Sequence, residues 1–169
     1  MRVLLCALGL SAWVLFALPG CGGPTFDGTV YRGSDVSFRV GPLESDWRRI
    51  DVDGALLAFR DDENGATIAM NGRCGLDGDD VPLHALTHHL FLNFTKRRVE
   101  SQNAVTLDGR EALRTELSAD LDGVSKQFVV YVLKKDGCVY DFMWIGADGS
   151  RQASAAEFQQ FVQGFSTKI

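Results

Sequence analysis

DGREALRTELSADLDGVSKQFVVYVLKKDGCVYDFMWI, residues 108–145, contains three Asp-Gly pairs, Asp108-Gly109, Asp122-Gly123 and Asp136-Gly137, spaced fourteen residues apart. Asp-Gly between apolar runs is the strongest short hairpin signal, because both central residues of a type I′ turn need φ > 0. The spacing therefore predicts four consecutive strands of an antiparallel meander, over 99–107, 110–121, 124–135 and 138–145. Residues 127–133 are apolar on both faces, with Phe128, Val130 and Val132 set against Val129, Tyr131 and Leu133. Such a strand is central and covered on two sides. The last strand behaves alike, with Tyr140, Phe142 and Trp144 on one face and Val139, Met143 and Ile145 on the other. In 110–121, Leu113 and Leu117 alternate with Arg114 and Glu116, so one face is partly wet.

Upstream, Asp53-Gly54 joins strands expected at 48–52 and 55–60, and 66–71 supplies the next, with a short strand at 37–40. Further Asp-Gly pairs stand at Asp27-Gly28, Asp77-Gly78 and Asp148-Gly149. A sheet covered on both faces calls for helices on both faces, and two segments fit. Pro82 suits a first helical position after Asp79 and Asp80, and the run to Thr95 sets Leu83, Leu86, Leu90 and Phe94 on one stripe. The second segment opens with Ser154-Ala155-Ala156-Glu157, a capping-box pattern, followed by Phe158, Phe161, Val162 and Phe165 at helical spacing. The fold class expected is α+β, an α/β/α sandwich with a mostly antiparallel sheet.

Several of these features together resemble the PsbP-like (DcrB-like) family. They are Phe38-Arg39-Val40 followed by Pro42 and Trp47, a middle helix, the long meander, and a closing helix ending Phe161-Val162-Gln163-Gly164-Phe165-Ser166. The resemblance covers most of residues 30–167. It implies an α/β/α sandwich serving as a non-catalytic binding or accessory module, and it brings no ligand residues, since the family has no shared catalytic motif.

The N-terminus has its own character. An apolar run over 3–18 closes on Leu18-Pro19-Gly20-Cys21, which resembles the lipobox of bacterial lipoproteins, cut just before a cysteine that receives lipid. Sixteen residues at ~1.5 Å each give about 24 Å, short of the ~30 Å hydrocarbon core that a spanning helix must cross. Plain secretion with a cut after Gly22 is the other reading, because Leu18 is too large at −3 for a cut before Cys21 by the ordinary signal peptidase. The lipobox resemblance implies a signal peptide over 1–20, a lipidated N-terminus and short tether over 21–29, and one domain over 30–169. It also implies a periplasm-facing place in the bacterial cell envelope. Gly22, in place of the aspartate that holds lipoproteins at the inner membrane of enteric bacteria, favours the outer membrane where that rule applies.

The chain has 169 residues and a formal charge of −5, which becomes −6 once residues 1–20, holding Arg2 and no acid, are removed. The remaining 149 residues suffice for one hydrophobic core. Lys96-Arg97-Arg98 and Lys134-Lys135 are too short for a nucleic-acid surface, and turn or helix-end solvation accounts for them. Of four cysteines, Cys6 leaves with the signal and Cys21 is lipidated, so Cys74 and Cys138 remain as a pair in a compartment that permits disulfides. They are expected to bridge; two free buried thiols are the alternative.

Candidate chemistry is sparse. His84 and His88, at i and i+4, could share a metal ion, with His89 alongside, but the stretch lacks the glutamate of H-E-x-x-H. A metal-binding lipoprotein using these histidines is thus the alternative function. The acid clusters at 51–54, 77–80 and 120–123 lack the pattern of a calcium loop. Asp141 falls on the face of Val139 and Met143, where a carboxylate must be paired, protonated or open to water. Arg49 or Arg114 could pair with it; otherwise it would be the polar floor of a ligand cleft. No G-x-S-x-G elbow or phosphate loop occurs, so a hydrolase would need an unrecognised site. The reading is a non-enzymatic, lipid-anchored module without a cofactor, binding an envelope protein or a small ligand.

Overall fold

The structure, a computed structural model, describes residues 23–75, 80–147 and 150–169, with backbone only at 151–153. Among the described residues ten strands and two helices follow in order: β1 (Thr25–Phe26), β2 (Val30–Arg32), β3 (Ser37–Arg39), β4 (Trp47–Ile50), β5 (Leu57–Asp61), β6 (Ala66–Cys74), α1 (Leu83–His89), β7 (Thr95–Leu107), β8 (Arg110–Leu121), β9 (Val124–Lys135), β10 (Cys138–Gly146) and α2 (Arg151–Gln163). Seven strands form one antiparallel sheet in the order β4-β5-β6-β10-β9-β8-β7, and β1-β2-β3 form a second. The fold is α+β, with mostly antiparallel sheets and two helices.

The meander follows from its turns. Asp108, Asp122 and Asp136 take φ of 45°, 51° and 53°, and the glycines after them 72°, 81° and 74°. Both central residues are left-handed, as the type I′ turn demands, and the strands close in register on each side. Because side chains alternate, β9 and β10 feed two separate cores. Val129, Tyr131, Leu133, Tyr140, Phe142 and Trp144 join Phe158, Phe161, Val162 and Phe165 of α2. Phe128, Val130, Val132 and Val139 join Leu86 of α1 and Phe91 just beyond it. Tyr31 and Phe38 of the small sheet belong to the first core, and Phe26 packs against it.

Thr25–Phe26, inside the stretch expected to serve as a tether, form β1 and pair with β2. The first helix is shorter than expected, ending at His89 instead of near Thr95. Amide bonds from Leu90 to Thr87 O, Phe91 to His88 O and Phe94 to Phe91 O tighten the following coil to i→i+3. This winding sets both Phe91 and Phe94 edge-on to Phe128, at 5.1 and 5.3 Å. Pro82 is the N-cap, one position earlier than read.

The second helix starts at Arg151, not at Ser154, so the capping box does not form. Tertiary partners outbid the local pattern: the Ser154 hydroxyl accepts Trp144 Nε1–H at 2.9 Å, and Glu157 accepts Trp47 Nε1–H. The far end of α2 crosses the loop after β3 with backbones touching. A Cβ on Gly41 would stand 2.2 Å from Gln160 O, so only glycine fits there.

Candidate functional site

Along α1 runs an open groove of about 590 Å³, bounded on one side by the helix and on the other by β7 and β8. Its base is Phe91 and Leu117, each 3% exposed and both part of the second core. Val99 forms a wall at 59% exposure. Polar groups stand around this apolar base. Thr115, nearly fully buried, accepts a hydrogen bond from Gln102 Nε2 at 3.0 Å. Arg97 Nη1 donates to the Phe91 carbonyl at 3.2 Å and lies 3.3 Å from His88 Nε2.

All three histidines, His84, His88 and His89, line this groove. The i, i+4 spacing does bring His84 and His88 to one place. Among the described residues, however, no three His, Cys, Asp or Glu side chains gather closely enough to hold a metal ion. Asp79, an acid shortly before this helix, lies outside the described residues.

Asp141 is elsewhere. It is on β10, opposite Asn71 of β6, and its carboxylate Oδ1 meets Arg73 Nη1 at 2.9 Å. The partner is therefore Arg73, not Arg49 or Arg114. Arg49 instead sits 5.4 Å from the Phe26 ring, and Arg114 bonds Tyr131 Oη at 2.9 Å and Glu116 at 2.5 Å. Burial pulls the Arg114 proton affinity down, but Glu116 and Tyr131 outweigh it and hold the guanidinium above its usual range. The Arg73 pairing is not legible in the sequence, because it is set by the β6–β10 register, which joins residues 68 apart.

Cys74 and Cys138 are bridged, and they face one another at the end of the β6–β10 ladder. The expected lipidation site, Cys21, lies outside the described residues. No helix among the described residues is long and apolar enough to cross a membrane.

The sequence reading missed Arg97, Val99, Gln102 and Thr115. It treated Lys96-Arg97-Arg98 as solvated charge. Only the alternation on a strand starting at Thr95 could have signalled the groove, and that signal is broken by register shifts between Thr95 and Arg98 and between Val99 and Ser101.

No family model matches this chain. No curated protein matches it either. Solved structures do. A cyanobacterial PsbP (CyanoP) from Synechocystis sp. PCC 6803 is 16% identical with a TM-score of 0.58, covering 89% of this chain and 98% of that one. LpqN of Mycobacterium tuberculosis, described as involved in cell envelope biogenesis, is 17% identical at 0.54, covering 85% and 88%. The Ran-binding protein Mog1p of Saccharomyces cerevisiae is 12% identical at 0.55, covering 75% and 88%. At these identities the likeness establishes a shared PsbP-like fold.

Proposed function

We propose that this protein is a lipid-anchored lipoprotein of the bacterial cell envelope whose domain is a non-catalytic binding or accessory module for a protein partner or small ligand. The observation that carries the anchor is Leu18-Pro19-Gly20-Cys21 closing an apolar run, four residues before Thr25 of β1. Residues 1–20 are then removed, Cys21 bears the lipid, and the domain hangs from the membrane on its periplasmic side. Two or more acyl chains hold stably where one is marginal.

The two separate cores, one under each helix, support an α/β/α sandwich. A groove with an apolar base and polar rim on a broad sheet supports a binding role. Among proteins of like fold, one is described as Ran-binding and another as involved in envelope biogenesis, which agrees with an accessory module in this compartment.

The test is a Cys21→Ala variant expressed with its full N-terminus. It should leave the membrane pellet for the soluble fraction, while intact-mass measurement of the wild type shows Cys21 as the lipid-bearing first residue. Continued pelleting of the variant, or an unmodified thiol in the wild type, refutes the anchor. A pull-down from solubilised envelopes then tests for a protein partner.

A further inference from the structure

We infer that the groove beside α1 binds a small soluble organic anion with an apolar body, its carboxylate on Arg97 and its body against Phe91, Val99 and Leu117. The inference rests on reading the domain as a binding module and names the chemistry of its ligand.

Three independent observations converge. The first is shape: about 590 Å³ lies inside the ~300–1,000 Å³ range of small-molecule sites, and the base is apolar and rigid because Phe91 and Leu117 are core residues. Val99 is a large apolar side chain exposed on the groove wall, where an apolar ligand would cover it.

The second is charge. The chain is acidic overall, yet the described lining of this groove holds one arginine, three histidines and no carboxylate. Other arginines near carboxylates are paired, as Arg73 is with Asp141 and Arg114 with Glu116. Among the described residues Arg97 has no acidic partner; its contacts are a carbonyl and an imidazole, both through Nη1. Those two contacts fix the guanidinium while leaving its other N–H donors for a ligand. A planar fork held in this way suits a planar carboxylate, which it can receive through two parallel bonds.

The third is strand geometry. Register shifts on β7 fall on both sides of Arg98 and Val99, between Thr95 and Arg98 and again between Val99 and Ser101. Bulges of this kind re-aim side chains, and they recur beside sites. On a regular strand Arg97, Val99 and Ser101 would share the groove face; the shift after Val99 sets Gln102 there instead of Ser101, bonded to Thr115, while Lys96 turns the other way to pair with Asp120 at 2.8 Å.

The experiment is titration of the ¹⁵N-labelled mature domain with naphthalene-2-carboxylate, its neutral analogue 2-naphthalenemethanol, and zinc alone. The carboxylate should give saturable amide shifts confined to residues 84–91, 97–102 and 115–117. Arg97→Gln should weaken carboxylate binding about tenfold and leave the weak binding of the alcohol unchanged. Val99→Ser should weaken both. Because Arg97 and Val99 are exposed, both variants should keep the wild-type spectrum elsewhere, which verifies folding. An Arg97→Gln variant that binds the carboxylate as the wild type does overturns the inference, as do shifts that never saturate. Zinc shifts at His84 and His88 without carboxylate binding overturn it in favour of a metal site. None of these outcomes bears on Cys21, so failure of the groove and failure of the anchor are read separately.

Discussion

Asp108 is both a turn residue and the clasp of the C-terminus. Its backbone takes the left-handed conformation that starts the β7–β8 hairpin, and its side chain reaches away from that turn. Oδ2 meets Lys135 Nζ at 2.7 Å and accepts the Thr167 amide at 2.9 Å, while Lys135 also donates to the Asp108 carbonyl at 2.5 Å. The Thr167 hydroxyl donates in turn to Asp136 Oδ2 at 2.7 Å, so two hairpin tips hold one chain end. Burial alone would raise the Asp108 pKa, but the Lys135 ammonium and the Thr167 amide outweigh it and hold the carboxyl below its usual range. A pKa depressed by folding contributes stability that is present above the unfolded value and lost as pH falls through the folded one. Asp108→Asn tests this cleanly, since asparagine also accepts the left-handed backbone and keeps the turn. Urea unfolding at neutral pH should show a loss of about 1–2 kcal/mol, as expected for a charge-assisted bond. The gap from wild type should narrow as pH falls below the carboxylate range. A gap independent of pH would mean that the charge contributes nothing.

Among the elements, legibility tracked how local the deciding chemistry was. The three Asp-Gly hairpins could be read to the residue, because two adjacent φ values decide a type I′ turn and nothing distant competes. The start of α2 could not. Ser154 and Glu157 satisfy a local capping pattern, but their side chains serve two tryptophans, Trp144 and Trp47, that arrive from other strands. Likewise the three histidines of the groove stood out by residue type, whereas Gln102 reaches it through a register shift that alternation along β7 does not predict. The Cys74–Cys138 bridge lies between these cases: residue count and compartment suggested the pair, and the β6–β10 register explains why they meet. It spans 64 residues, which on the loop-entropy model stabilises by roughly 4 kcal/mol. The β6–β10 ladder is itself hydrogen-bonded along Thr67–Cys74, so the reduced protein should keep its fold and lose only stability. Urea midpoints with and without reductant should differ accordingly, and alkylation mass spectrometry should find both thiols blocked until reduction. An unchanged midpoint would show that the bridge adds nothing beyond the strand pairing.

At the scale of the whole molecule, the fold separates β1, next to the proposed anchor, from the groove. The small sheet β1-β2-β3 belongs to the core beneath α2, and the groove belongs to the core beneath α1, on the other face of the large sheet. Packed layers lie ~10 Å apart, so the two features stand roughly 20 Å apart along the sheet normal. The proposed lipid on Cys21 is only four residues from Thr25, a span of at most about 14 Å when extended. An anchor at Cys21 would draw the β1 face toward the bilayer and leave the α1 face turned to the periplasm. That orientation suits a soluble ligand, which would reach Arg97 without passing the headgroups. It can be measured with an environment-sensitive fluorophore attached at Asp27 or at Leu92, both exposed positions, in lipidated protein reconstituted with spin-labelled lipid. Quenching should be several-fold stronger at Asp27, beside β1, than at Leu92, just past α1, because contact quenching by bilayer spin labels falls off within a few ångströms. Equal quenching at the two positions would mean that the domain tumbles freely on its tether. Stronger quenching at Leu92 would place the groove against the membrane and make a lipid, not a soluble anion, its occupant.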